Sequence, residues 1–112
     1  MKKIFLNIFI FLSLLSGETV ETSVSGTVYR SEKNIPLQGA DVIFINLNGD
    51  TFGASTDSQG EYQISNIPSG KYNVKISFIG FEDFKDDLFI EDGKSYKIDA
   101  FLAIEPILMS RL

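Results

Sequence analysis

The chain has 112 residues, no Cys, no His, no Trp, and a formal net charge of −5. That length holds one domain at most. The composition excludes disulfide stapling, the His- and Cys-based nucleophile–base pairs of catalysis, and nucleic-acid binding through a basic patch.

Residues 1–17, MKKIFLNIFIFLSLLSG, read as a signal peptide: two lysines, an apolar run, then small residues before a cleavage point near Gly17. The apolar run is too short to span a bilayer comfortably, which takes roughly 20 apolar residues; an uncleaved N-terminal anchor is the rival reading. No Cys follows it, so a lipid-modified Cys anchor is excluded. Loss of Lys2 and Lys3 takes the net charge from −5 to −7. The mature chain is then expected to be exported, to the periplasm, the outer membrane or the outside, with no transmembrane segment of its own. Residues 18–22 are a short linker.

Residues 22–30, TSVSGTVYR, alternate as a half-buried strand does, with Val24, Gly26 and Val28 on one side. SEKNIPLQG, 31–39, is a loop punctuated by Asn34, Pro36 and Gly39. ADVIFINL, 40–47, is apolar on both sides in its middle and reads as a central strand covered on both faces. Asn48-Gly49 signals a tight turn. TFGAST, 51–56, is a short strand weakened by Gly53, and DSQG, 57–60, turns again around Asp57 and Gly60.

EYQIS, 61–65, puts Tyr62 and Ile64 on one face, and NIPSG turns through Pro68 and Gly70. KYNVKISFIG, 71–80, is the clearest strand, with Tyr72, Val74, Ile76 and Phe78 facing one way and Gly80 at its end. FEDFKDDLFIED, 81–92, is less regular and acidic. SYKIDAFLA, 95–103, closes the series with Tyr96, Ile98, Ala100 and Leu102 inward. Seven short strands with a turn about every ten residues predict an all-β sandwich or barrel, and the short connections predict antiparallel pairing. IEPILMSRL, 104–112, is a C-terminal tail or the start of a linker.

The order of these signals resembles a known family. SVSGTVYRSEKNIPLQGADVIF is similar to the opening of carboxypeptidase regulatory-like domains, and STDSQGEYQISNIPSGKYNVKISFIGFED to their second half. The resemblance covers roughly residues 23–103. It implies a transthyretin-like, seven-stranded Greek-key β-sandwich; with no His or Cys and nothing in the sequence placing two carboxylates across a cleft, neither enzymatic activity nor a cofactor is expected. Such domains stand beside the catalytic domain of metallocarboxypeptidases, and a similar version precedes the plug of TonB-dependent outer-membrane receptors. The ISFIGFED ending is nearer to the receptor version.

Gly39, Asp57, Gly60, Pro68, Gly70 and Gly80 are expected to be structural turn residues. The carboxylates at 83, 86, 87, 91 and 92 are expected to form a solvated, aggregation-resistant edge rather than a Ca²⁺ site, which needs six to eight oxygens from a bent loop. Phe81, Phe84 and Phe89 fall where alternation is irregular. They are the candidate interaction surface, for a protein partner in the cell envelope or for carbohydrate. An accessory role beside a peptidase is the remaining alternative.

Overall fold

The computed structural model describes residues 21–106. The expected signal peptide and the tail beyond residue 106 lie outside the described residues. The described chain is all strand and turn: β1 Ser23–Arg30, β2 Ile35–Pro36, β3 Asp41–Asn46, β4 Thr51–Ser55, β5 Glu61–Ser65, β6 Gly70–Ser77, β7 Phe84–Ile90, β8 Ser95–Lys97 and β9 Ala100–Leu102.

Two sheets form a sandwich. One has the order β4-β3-β6-β7, antiparallel throughout. The other is built on β1, with β5 and β2 antiparallel along one edge. β8 and β9 run parallel to β1 along its other edge. The chain changes sheets after β2, β4, β5 and β7.

Period-two alternation places the core. Val24 and Val28 of β1, Val42 and Phe44 of β3, Tyr62 and Ile64 of β5, Tyr72, Val74 and Ile76 of β6, and Ala100 and Leu102 of β9 all turn inward and are buried. Burial of apolar surface between the sheets, at roughly 25 cal/mol per Å², is what holds them together.

Four expectations are corrected. β3 is central in its sheet, but only its inner face is covered: Ile43 is half-buried, and Ile45 and Leu47 are exposed. Its second row of isoleucines reflects strand preference for β-branched side chains, not a second packing layer. The 31–39 loop carries a two-residue strand, with Pro36 opposite Tyr29 at a sheet edge, where its missing N–H costs no ladder bond. Pairing is not antiparallel throughout, because the last strand of the domain lies beside the first, and no short connection governs their direction.

The strand expected at 95–103 is split in two, and the hydrogen bonds show why. Along this edge Ser23 N–H donates to Lys94 O and Ser31 N–H to Leu102 O, so an unbroken ladder would have Thr27 N–H donate to Ile98 O. Thr27 N–H instead donates to the Asp99 carboxylate, at 2.9 Å. The freed Ile98 carbonyl turns inward and accepts from the Tyr62 hydroxyl at 2.7 Å. Gly26 supplies the room: a Cβ there would lie 2.6 Å from the Ile98 carbonyl carbon and closer still to its oxygen. Two side chains thus satisfy what the break leaves open, as buried polar groups require.

Burial, and secondarily the Asp99 carboxylate, hold the Tyr62 phenol well above its usual value near 10. The folded state therefore favours the protonated phenol. Its contribution is fully present below pH ~10 and is lost as pH rises further. Urea midpoints at neutral and strongly alkaline pH should show a steeper alkaline loss for the wild type than for Tyr62→Phe. At neutral pH that variant should be ~1–3 kcal/mol less stable, since Ile98 O loses its donor. Equal alkaline slopes would sink the assignment.

Candidate interaction surface

The turn residues singled out in the sequence are consumed by the frame. Asp57 accepts at Oδ1 from Gln59 N–H and Glu61 N–H, both at 2.9 Å, and Gly60 N–H donates to Asp57 O. Gly60 has φ +77°, and a Cβ there would meet Val28 O at 2.8 Å. Gly39, Gly70 and Gly80 also have positive φ. The Pro68 carbonyl accepts from the Tyr72 hydroxyl at 2.7 Å. Thr56, which sequence reasoning passed over, is buried and clamps the 37–40 segment: its hydroxyl donates to Leu37 O and accepts from Ala40 N–H. A hydroxyl between an apolar strand and an Asp turn was the only signal for it.

The three phenylalanines do not form one surface. Phe81 is half-buried, edge-on to Phe78 at 5.5 Å between ring centroids, and bridges backbone to backbone with Ile104. Phe84 begins β7 on its inward side and packs against the core. Phe89 stands alone on the outward side of β7, 66% exposed, opposite Lys71. Gly80 and Ile79 form the loop tip beside Phe81, with Ile79 almost fully exposed.

A second aromatic site forms on the outer face of the other sheet. Tyr29 of β1 and Phe101 of β9 are register partners, and their rings stack at 4.9 Å with 15° between planes. Pro36 continues the row on the other side of Tyr29. Phe101 remains 54% exposed. Further along the same outer face, Ser25, Thr27, Gln63 and Lys97 line an open trough of about 490 Å³ that reaches Asp57, Glu61 and, on β4 of the other sheet, Ala54 and Ser55. Alternation in the sequence already turned Tyr29 and Phe101 away from the core. That they touch depends on the parallel β1–β9 register, which alternation does not carry.

The acidic stretch lies on β7, an edge strand, and in its flanking turns. Asp83 pairs with Lys75 at 3.7 Å and Glu91 with Lys94 at 3.2 Å, both exposed. Such pairs are worth at most ~1 kcal/mol. Among the described residues, no three carboxylates converge as metal ligands.

The fold is shared with solved bacterial structures, pilins among them. The Bacillus anthracis TIE protein superposes with TM-score 0.63 and 21% identity over 76% of this chain and 18% of that one. Shaft pilin SpaA of Lactobacillus rhamnosus GG gives TM-score 0.60 and 14% identity over 80% of this chain and 49% of that one. BcpA, the major pilin subunit of Bacillus cereus, gives TM-score 0.59 and 17% identity over 77% of this chain and 31% of that one. The chain spans less than half the length of each. No curated protein matches it. A family model described as the CarboxypepD_reg-like domain matches residues 24–111, most of the chain, and the chain belongs to that family.

Proposed function

We propose that the protein is a non-catalytic contact or spacer module of the cell envelope, exported after cleavage near Gly17. One observation carries this reading. The family's motif residues are spent on turns and core, while two aromatic rings left exposed, Phe89 and the Phe101 stacked on half-buried Tyr29, stand on the two outer faces of the sandwich. With no His or Cys in the chain, the usual nucleophile–base pairs are missing, which supports a recognition role. The resemblance of ISFIGFED to the receptor version favours a place in front of an outer-membrane receptor. Among the described residues no helix is long and apolar enough to cross a membrane.

The exported protein, immobilised and exposed to envelope extract, should begin near Glu18 and enrich an envelope protein that Phe101→Ala or Phe89→Ala bait fails to hold. Bait that retains Met1, or enrichment indifferent to both variants, would sink the reading. A second reading, carbohydrate binding, is favoured by the Tyr29–Phe101 stack beside hydroxyl and amide side chains. Glycan-array signal lost on Phe101→Ala, with no protein enriched, would establish it instead.

A further inference from the structure

The free edges of the sandwich are not alike. In the four-stranded sheet, Thr56 N–H donates to Ala40 O and Asn46 N–H to Asp50 O. The even-numbered residues of β3 therefore turn their backbone groups to β4, and the odd-numbered ones to β6. Carried across the registers, the alternation leaves the N–H and C=O of Thr51, Gly53 and Ser55 on the free edge of β4. On β7 it leaves those of Lys85, Asp87 and Phe89.

The β7 edge is guarded. Asp86 occupies an inward-facing position yet is exposed, and its carboxylate accepts from the edge N–H of Asp87 at 2.8 Å. Lys85 and Asp87 add charge on the outer face. An inward-pointing charge on an edge strand is a known defence against pairing with another strand. At β5, the first edge N–H, that of Glu61, is taken by Asp57. β4 has no such device. Residues 51–56 carry no charge, Thr51, Gly53 and Ser55 are exposed, and among the described residues no hydrogen bond takes their edge groups.

We propose that β4 is a docking edge for a second copy of this chain, the two β4 strands pairing antiparallel about a two-fold axis between their Gly53 residues. The pairing is isologous, so each Thr51 faces Ser55 of the partner subunit. Charge selects this edge for a second copy. A chain with formal charge −5, or −7 without its lysine-bearing leader, repels its copy almost everywhere. At β4 the facing strips are neutral, with Asp50 opposite a threonine and Asp57 opposite a glycine. The same operation on β7 would set Asp87 against its own copy. The product is one continuous eight-stranded sheet. It would also cover the edge side of the inward-facing, half-buried Phe52 and Ala54.

Two variant pairs test this by sedimentation equilibrium. Thr51→Lys with Ser55→Lys sets like charges opposite each other and should weaken the dimer roughly tenfold or more relative to wild type. Thr51→Glu with Ser55→Lys sets opposite charges together and should hold it near wild type. The two differ only in the sign at position 51, so a folding defect common to Ser55→Lys cannot mimic the result. Because the chain has no cysteine, Thr51→Cys with Ser55→Cys gives an independent readout. Residues opposite in a hydrogen-bonded pair lie ~5.5 Å apart at Cα, within disulfide reach. Oxidation should yield a covalent dimer, and Lys85→Cys alone should not. A protein monomeric at every concentration and uncrosslinked, or one that dimerises equally in both charge variants, overturns the proposal. Either outcome leaves the contact role of the outer faces untouched, since that rests on Phe101 and Phe89.

Discussion

Gly26→Ala should unfold much of the protein in mild denaturant, with a stability loss of ~3 kcal/mol or more. The added methyl enters the space held by the inward-turned Ile98 carbonyl, and it would also sit 3.0 Å from Cε1 of Tyr62. Neither neighbour is the loose end of a flexible side chain. One is backbone, and the other is a buried ring whose hydroxyl is committed to Ile98 O. Relief would require Ile98 O to swing back towards Thr27 N–H, expelling Asp99 and stranding the Tyr62 hydroxyl. Urea unfolding followed by circular dichroism measures the loss, with exposed Gln63→Ala as a control expected within ~0.5 kcal/mol of wild type. A Gly26→Ala midpoint close to that control would mean the ladder can close, and the account of the split strand would fail.

Tyr72→Ala should cost ~3–5 kcal/mol, a large part of the 5–15 kcal/mol of a typical domain. Tyr72 is fully buried between the sheets, edge-on to both Phe44 and Phe52 with centroids 6.0 Å away. Its loss removes the ring from two aromatic contacts and leaves a cavity between sheets that cannot simply collapse. Tyr72→Phe separates the parts. It keeps the ring and removes only the bond to Pro68 O, so ~1–2 kcal/mol is expected. Equal losses for the two variants would place the energy in the turn rather than in packing.

Much of the frame was legible in residue order. Alternation in 22–30, 61–65 and 71–80 picked out Val24, Val28, Tyr62, Ile64, Tyr72, Val74 and Ile76, and all are buried. The Asp57–Gly60 turn was legible because its chemistry is local: an Asp oxygen reaches amides two and four residues ahead. The surface was less so. Phe81, Phe84 and Phe89 lie close in sequence, yet one packs under a loop, one faces the core and one faces solvent. Phe101 finds Tyr29, 72 residues away, only because β9 lies beside β1.

The sequence by itself determined the all-β class, the turns, the inward rows and the family, since each depends on residues within a few positions of one another. Tertiary structure decided the rest: the parallel closure of β8 and β9 on β1, the break at Ile98, the single covered face of β3, and which strands are edges. Those depend on which strand becomes whose neighbour. A period of two says which way a side chain points, and nothing about what stands across from it.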